Sequence, residues 1–303
     1  MMTWYPLAEP TRRHLMAAGV DCDAVAALVR ATVAEDLAGG VDLTSTATVA
    51  AHQRSTATFV SRGDGVVAGL AVAVAVLDAV CGPALAEVTW LAHDGDRVQA
   101  GQPLLRVTAP TRSMLTAERS ALNLMCHLSG VATLTRRWAD QLEGTRAVVR
   151  DTRKTTPGLR ALEKMAVRFG GGQNHRMALS DAALVKDNHV AAAGGVAAAF
   201  ALVRQLAVDV VVEIEVDDLV GLREAIDAGA DLVLLDNFSL DDLVTAVALR
   251  DERAPHVRLE ASGGLTLDTA RPVALTGVDY IAVGELTHSA RVLDIGLDLE
   301  PVV

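Results

Sequence analysis

Lysine is rare in this chain and is confined to one stretch of it. Of the 27 basic residues, only Lys154, Lys164 and Lys186 are lysines. Residues 150–189 carry eight Lys or Arg against four Asp or Glu, in a chain whose net charge is −11. Arginine offers a planar fork for carboxylates, whereas lysine is a compact charge suited to phosphate oxygens. This stretch therefore predicts a site for a small polyanion, with a solvated basic surface as the alternative.

Glycine-rich turns and carboxylates supply further groups of this kind. Three glycines begin GGGQNHR at 170–176, where the backbone can approach a ligand closely. The turns Ser262-Gly263-Gly264 and Val283-Gly284 follow two later apolar runs, and such turns present backbone N–H groups to phosphate. Glu215 and Asp236 end two other apolar runs and are candidates to bind ribose hydroxyls or Mg²⁺.

Six short β-branched runs position these groups. They alternate with Ala/Leu-rich helical segments and are residues 146–151, 182–188, 208–216, 230–237, 256–264 and 278–286. This alternation predicts a parallel sheet with right-handed crossovers. Six runs instead of eight predict an incomplete αβ barrel, with further strands from the preceding chain as the alternative. Each run has a polar group at its C-terminal end, where barrels assemble active sites. Helix capping explains one such group but not all six, so we expect catalysis or ligand binding there.

The N-terminal half has a different, α+β pattern. Strand candidates at 56–62, 65–70 and 94–107 accompany a helical run at 72–80. Residues 65–88 are apolar and long enough to span a membrane. Because Asp78, glycine and proline interrupt them, a buried strand followed by a buried helix is favoured.

A long helix is predicted at 114–142, broken at Gly130. Glu118 lies on its apolar face and Arg119 at the edge of that face. A charged group on an apolar stripe is costly unless it is paired or functional, and a salt bridge is the simpler explanation. In a second helix after residue 156, Lys164 faces away from the apolar side, which predicts a surface or interface position.

Composition excludes several classes of protein. The net charge of −11 argues against general nucleic-acid binding. Cys22, Cys81 and Cys126 are widely spaced and odd in number, which fits a reducing cytosol better than a disulfide framework or a metal cluster. The first residues show no secretory signal pattern. We expect a cytoplasmic protein with neither nucleic-acid nor membrane partners.

The chain resembles the quinolinate phosphoribosyltransferase family, also called nicotinate-nucleotide pyrophosphorylase (carboxylating). The segments that carry the resemblance, in this order, are DTRKTTPGLR, EKMAVRFGGGQNHR, LVKDNH, EIEV, LLDNFS, LEASGGL and VGELTHS. The likeness extends upstream through EDLAGGVDLTS (35–45) and AERSALNLMCHLSG (117–130), and downstream to LDIGLDL (293–299). It covers nearly all of the chain from about residue 20.

The resemblance implies a fold and a reaction. It implies an N-terminal α/β sandwich domain at 15–128, a C-terminal open αβ barrel at 129–292, and a tail at 293–303 that returns to the first domain. It implies a homodimer in which the partner's N-terminal domain completes each active site. The implied enzyme is a nicotinate-nucleotide diphosphorylase (carboxylating), a pentosyltransferase. With Mg²⁺ it converts quinolinate and phosphoribosyl pyrophosphate to nicotinate mononucleotide, pyrophosphate and CO₂ in NAD biosynthesis.

The resemblance also implies roles for individual residues. Arg119, in the AER motif, would reach the pyridine dicarboxylate across the dimer, which replaces the salt-bridge interpretation. The implied catalytic residues are Lys154, Lys186, Glu215 and Asp236, of which the two carboxylates also bind Mg²⁺. The implied pocket for the dicarboxylate is Arg153, His175 and Arg176. The other implied substrate-binding residues are Thr152, Ser262, Gly263, Gly264, Val283, Gly284, Glu285 and His288. Glu285 is more acidic than a phosphate loop favours, so its side chain should point away.

Three alternative functions remain open. Lys154 or Lys186 at a strand end could form a Schiff base, as in aldolases. The same scaffold could be a non-catalytic sensor of a phosphorylated anion. It could also act on nicotinate or on another heteroaromatic acid.

Overall fold

The computed structural model describes residues 3–206 and 210–300. The chain forms two compact units. The first unit contains the chain up to Leu134, the segment Thr156–Gly171 and the chain from Ser289 on; the second contains Thr135–Thr155 and Gly172–His288. The division between them falls within one long helix, a few residues beyond the 128/129 boundary that the resemblance implies, and residues 156–171 join the first unit.

The elements are numbered along the chain. The helices are α1 (Glu9–Ala17), α2 (Cys22–Leu37), α3 (Leu43–Thr48), α4 (Leu70–Cys81), α5 (Thr111–Gln141), α6 (Arg160–Phe169), α7 (Asp187–Ala193), α8 (Val196–Leu206), α9 (Leu219–Asp227), α10 (Leu240–Arg253), α11 (Leu267–Leu275) and α12 (Glu285–His288). The strands are β1 (Arg54–Ser61), β2 (Gly65–Val66), β3 (Glu87–Trp90), β4 (Arg97–Val98), β5 (Pro103–Pro110), β6 (Val148–Arg150), β7 (Ala182–Val185), β8 (Val211–Val216), β9 (Leu232–Asp236), β10 (Arg258–Ser262), β11 (Tyr280–Ala282) and β12 (Ile295–Leu299).

An antiparallel sheet organises the first unit. Its strand order is β12-β1-β5-β3, so the C-terminal strand pairs with β1. Side chains of β1 alternate between buried and less buried positions, as expected when one face of a sheet covers a core. Every residue of α4 is buried. The prediction of a buried strand and helix within 65–88 is therefore confirmed, with the strand reduced to the two residues of β2.

The second unit is a parallel sheet with helices between its strands. All six predicted strands are present, although Val208 and Asp209 of the third predicted run lie outside the described residues. The strand order is β6-β11-β10-β9-β8-β7. The last strand pairs with the first, as in a closed barrel, but β6 and β7 lie at opposite ends of the sheet. The prediction of an incomplete αβ barrel is confirmed.

The free edge of β6 is covered by the segment that follows the three glycines. Gln173 forms a parallel bridge with Arg150, with its N–H donated to Val149 O (2.9 Å) and its carbonyl accepting from Asp151 N (3.2 Å). A strand edge left with unpaired backbone groups is unfavourable, and this segment pairs them. Helix α6, which would follow β6 in a regular barrel, belongs to the first unit.

Helix α5 is continuous through Gly130, so the predicted break there is wrong. Glycine is present for a different reason. A Cβ added at Gly130 would lie 2.2 Å from the carbonyl oxygen of Arg291, in the chain that leads to β12. The sequence of α5 alone cannot reveal this contact, because Arg291 lies far along the chain.

The predicted surface or interface position of Lys164 is also wrong. Its side chain is fully buried, as is that of Glu163 beside it. Residues 162–167 of α6 are all buried, so the helix packs on both sides and its polar face is not a solvent face. Glu163 accepts hydrogen bonds from His127 Nε2 (2.8 Å) and from the N–H of Thr156 (3.0 Å).

Within the described residues, no single helix has the length and apolar character needed to cross a membrane. The pair α7 and α8, bent by 91°, meets that test together on length and composition alone.

Gly130→Ala should destabilise the protein although alanine is the better helix former. Alanine normally gains about 1 kcal/mol over glycine within a helix. Here the added methyl group meets a backbone oxygen, and overpacking of this kind costs about 1–3 kcal/mol. We therefore expect a lower midpoint of urea unfolding. Gly63→Ala is the matched control, because its Cβ would make an ordinary 3.7 Å contact with Leu293. Equal or greater stability of Gly130→Ala would contradict this packing.

Candidate active site

The carboxyl ends of the parallel strands surround a pocket of about 450 Å³ in the second unit. Strand register places its walls, since Glu215 pairs with Leu234 and Ser262 pairs with Asp236 across neighbouring strands. The sequence-predicted residues that line it are Thr152, Arg153, Lys154, His175, Arg176, Lys186, Glu215, Asp236 and Ser262. These residues come from five strand ends and the 170–176 loop, and the fold brings them to one place.

A buried carboxylate fixes the loop that carries two of these side chains. Asp151, directly after β6, is fully buried. Its carboxylate oxygens accept hydrogen bonds from the N–H of His175 (2.8 Å) and from Asn174 Nδ2 (2.5 Å). The loop is thus held by both backbone and side-chain contacts. His175 and Arg176 are positioned by this attachment and not by a regular element.

The imidazole of His175 is itself held at both ring nitrogens. The backbone N–H of Arg176 donates to Nδ1 (2.7 Å), so Nδ1 carries no proton. Nε2 lies 2.7 Å from Glu213 Oε2 and therefore donates to it. His175 is the neutral Nε2–H tautomer in this arrangement. Its contribution to the pocket is a fixed ring, while the hydrogen bonds it makes are internal.

Two buried glutamates were not assigned to the site from the sequence: Glu260 lies in the pocket wall, and Glu213 lies behind it. Glu213 and Glu260 are buried, and Arg150 Nη1 donates to Glu260 Oε2 (2.6 Å). Burial raises the pKa of each carboxyl to about 7, against the opposing charge of Arg150. Both strand ends had drawn attention as polar positions. These two carboxyl groups are buried, whereas that of Glu215 is partly exposed, and a sequence does not show how deeply a side chain is buried.

Two guanidinium groups in the pocket wall lie close enough to affect each other. Burial, followed by the charge of Arg153, lowers the pKa of Arg176. The Nε atom of Arg153 is buried and has no hydrogen-bond partner in the part of the chain that the structure describes. Arg176 Nη1 donates to the carbonyl of Ala182 (3.0 Å), which keeps its guanidinium at the wall. Two neighbouring cations with incomplete partners form a site that a multivalent anion would stabilise.

Lys186 and Glu215 form an ion pair at the pocket. The ammonium donates to Glu215 Oε2, and the lysine side chain is 47% exposed while the glutamate side chain is 15% exposed. A pair that remains partly in water is weak, since screening reduces the attraction. An incoming anion can therefore attract Lys186 away, which leaves the carboxylate of Glu215 available for hydroxyl groups or a cation.

Glu215 and Asp236 are suited to hold Mg²⁺. Both carboxylates line the same pocket and are partly exposed. Among the described residues, Asp236 Oδ2 accepts a hydrogen bond from Asn237 Nδ2 (2.8 Å). Hard oxygen donors of this kind, shared with substrate phosphates and water, match the preference of Mg²⁺.

The glycine turns lie close to Lys154 and Asn237. Gly263 has φ +91°, and a Cβ there would meet Asn237 Oδ1 at 2.3 Å, so only glycine fits. A Cβ at Gly284 would lie 3.1 Å from Lys154 Cδ and 3.3 Å from His288 Nε2. Lys154 is further fixed because its carbonyl accepts from Thr287 Oγ1 (2.7 Å). Gly284 and His288 thus neighbour Lys154, although neither they nor Gly263, Gly264 and Val283 line the pocket.

Two other predicted residues have separate surroundings. The carboxylate of Glu285 accepts a hydrogen bond from Trp138 Nε1 (3.1 Å) near the end of α5, so its charge is engaged there. Arg119 belongs to the first unit and is exposed on α5. Burial raises the pKa of its neighbour Glu118, and the charge of Arg119 opposes that shift. The roles assigned to Glu285 and Arg119 stay predictions.

Comparison with known proteins gives a consistent result over the chain. Residues 42–129 match the quinolinate phosphoribosyl transferase N-terminal domain, and residues 131–298 match the C-terminal domain. The chain is 53% identical over 281 residues to the nicotinate-nucleotide pyrophosphorylase [carboxylating] of Mycobacterium leprae (strain TN), covering 92% of this chain and 99% of the relative. It is 37% identical over 289 residues to quinolinate phosphoribosyltransferase [decarboxylating] 2b, mitochondrial, of Nicotiana tabacum, covering 90% and 81%.

A solved structure agrees with these relatives. The nicotinate-nucleotide pyrophosphorylase of Francisella tularensis superposes with a TM-score of 0.87 at 39% sequence identity. The superposition covers 93% of this chain and 98% of that one.

Proposed function

The chain belongs to the quinolinate phosphoribosyltransferase family, and from that premise we propose that it transfers phosphoribosyl from phosphoribosyl pyrophosphate to quinolinate. The products would be nicotinate mononucleotide, pyrophosphate and CO₂, in de novo NAD biosynthesis. The observation that carries the proposal is that Arg153 and Arg176 line the same pocket at the strand ends. Quinolinate carries two adjacent carboxylates, and two adjacent guanidinium groups offer each carboxylate a fork.

The two pocket lysines would stabilise the pyrophosphate leaving group. The bond from the sugar to pyrophosphate breaks as negative charge grows on the leaving oxygens. Lys154, held beside the Gly284 turn, and Lys186, held loosely by Glu215, are cations that can follow those oxygens. Fixed charges directed at developing charge are the strongest single contribution in many active sites. When bound by Glu215 and Asp236, Mg²⁺ would add positive charge for the same leaving group.

The attack of the pyridine on the sugar and the loss of CO₂ depend on how the pyridine ring is positioned. The pyridine nitrogen attacks the sugar carbon, and the positive charge that results on nitrogen stabilises the electron pair left on the adjacent ring carbon when CO₂ leaves. A carboxylate of Glu215 or Asp236 beside the ribose would stabilise positive charge on the sugar ring. The protein orients and desolvates the reactants, with no covalent enzyme intermediate.

We also infer that the enzyme is a cytoplasmic homodimer with shared active sites. Arg119 supports this, because this exposed arginine on α5 has no role assigned to it within its own unit. In a two-fold dimer, one patch on each protomer can complete the other protomer's site.

A product assay tests the proposed reaction. Quinolinate and phosphoribosyl pyrophosphate with Mg²⁺ should give equal amounts of nicotinate mononucleotide, CO₂ and pyrophosphate. Nicotinate is the control substrate, because it keeps one carboxylate and leaves one guanidinium group without a partner. Faster turnover of nicotinate than of quinolinate would contradict the proposal. Borohydride treatment covers the aldolase alternative, since covalent trapping of substrate on a lysine would support a Schiff base instead.

Mixing two inactive variants tests the shared site. Arg119→Ala and Lys154→Ala should each lose about 10²-fold or more in kcat/KM, because each removes one oriented charge. If Arg119 serves the partner's pocket, a mixed dimer has one intact site and one doubly altered site. Random mixing should then restore about one quarter of wild-type activity, as two-fold symmetry requires. The matched control replaces Arg119→Ala with Arg153→Ala, which lies in the same pocket as Lys154 and should restore nothing. No recovery with Arg119→Ala would contradict the shared site.

A further inference from the structure

The proposed reaction requires a proton at one carbon, and the inference that follows rests on that proposed function. When the bond between the ring and the carboxyl carbon breaks, CO₂ leaves and the electron pair stays on the ring carbon. This carbon becomes the C–H of nicotinate mononucleotide only when it receives a proton. Until then CO₂ can recombine with it. An acid held in the pocket would protonate this carbon before CO₂ recombines with it. Such acids typically contribute about 10²- to 10⁴-fold in rate.

Most ionisable groups in the described pocket wall already have another task. Neither nitrogen of His175 is directed to a ligand, since Nδ1 accepts from Arg176 N–H and Nε2–H donates to Glu213. The ammonium of Lys186 donates to Glu215. Arginine keeps its protons in proteins and is a poor acid. Lys154 is exposed, which places it where it meets solvent and the phosphates of a substrate.

Glu260 is different from these groups. Its carboxyl is fully buried yet forms part of the pocket wall. Oε2 accepts from Arg150 Nη1 (2.6 Å), whereas Oε1 lies 3.6 Å from His175 Nε2 and has no hydrogen-bond partner among the described residues. A buried, unpartnered carboxylate oxygen is costly, and a proton on Oε1 removes that cost.

Charge balance in the buried cluster also calls for one proton. Arg150 brings one positive charge, and its guanidinium stacks over the ring of Tyr280 at 4.5 Å. Glu213 and Glu260 bring two carboxyl groups, and His175 is neutral. With both carboxyl groups ionised the cluster would hold an excess negative charge in a dry environment. A single proton makes it neutral, which is the favoured state for buried groups.

We propose that Glu260 is the general acid of the decarboxylation step, and that its Oε1 proton passes to the ring carbon that CO₂ leaves. The ring–carboxyl bond breaks, a C–H bond forms, and the O–H bond of Glu260 breaks. The carboxylate left behind is paired with Arg150. Solvent returns the proton after the product leaves. A neutral acid also does not repel the dianionic substrate, as an ionised Glu260 would.

The titration of Glu260 agrees with this role. Burial, and then the charge of Glu213, raises the pKa of Glu260 to about 7, while the charge of Arg150 opposes the shift. The charged and titratable groups that face it from packed elements are Arg150 on β6, His175 in the loop, Glu213 on β8 and Tyr280 on β11. The donor is therefore present below pH of about 7 and is lost as pH rises through that value.

Glu260→Gln separates this step from phosphoribosyl transfer. Glutamine keeps an oxygen for Arg150 but has no transferable acid proton. With enzyme in excess over quinolinate, pyrophosphate release in a single turnover should stay within about threefold of wild type. Formation of nicotinate mononucleotide should slow by about 10²-fold. Glu224→Gln, an exposed glutamate on α9, is the matched control and should change neither rate.

Wild-type enzyme gives a second measurement that does not depend on a variant folding. Above pH of about 7, the rate of nicotinate mononucleotide formation should fall while single-turnover pyrophosphate release does not. Glu260→Gln should lack this fall. The role of Glu260 is overturned if the wild-type rate is independent of pH in this range, or if both product rates in Glu260→Gln match wild type. Failure of wild-type enzyme to release pyrophosphate from the two substrates would instead overturn the proposed function itself.

Discussion

Buried carboxyl groups hold the catalytic end of the parallel sheet, and the positions of the pocket's cations follow from them. Asp151 accepts from the side chain of Asn174 and from the backbone N–H of His175, Glu213 fixes the imidazole of His175, and Glu260 accepts from Arg150. A charge removed from water is tolerated only where hydrogen bonds and opposite charges surround it. Breaking one member of such a set leaves its partner buried without compensation. The geometry of the pocket is therefore tied to the folding of the strands beneath it.

The open barrel makes this arrangement possible. A seventh and an eighth strand would cover the edge of β6, where the segment around Gln173 now pairs with Arg150. Because this segment is a loop, it can carry His175 and Arg176 into the mouth of the sheet at an angle that a strand would not allow. The glycines before it give the backbone the freedom to turn, and Gly171 has φ +90°.

Sequence patterns revealed the strands and the chemical character of the site, but not depth or distant contacts. β-branched runs identified every strand of the parallel sheet, since buried strands need such residues. Glu213 and Glu215 share one face of β8 and stand about 7 Å apart along it, yet one is buried beneath the pocket and the other lines it. Periodicity treats them alike. The burial of Lys164 and the continuity of α5 at Gly130 depend on chain segments far away in sequence, which no local pattern contains.

The central claim is that the strand ends form a pocket for a pyridine with two neighbouring carboxylates. The most direct measurement is a crystal structure of the enzyme soaked with quinolinate alone. The pyridine ring should lie in the 450 Å³ pocket, with one carboxylate on Arg153 and the other on Arg176. Quinolinate bound at another place, or in this pocket with both carboxylates turned away from these two arginines, would contradict it.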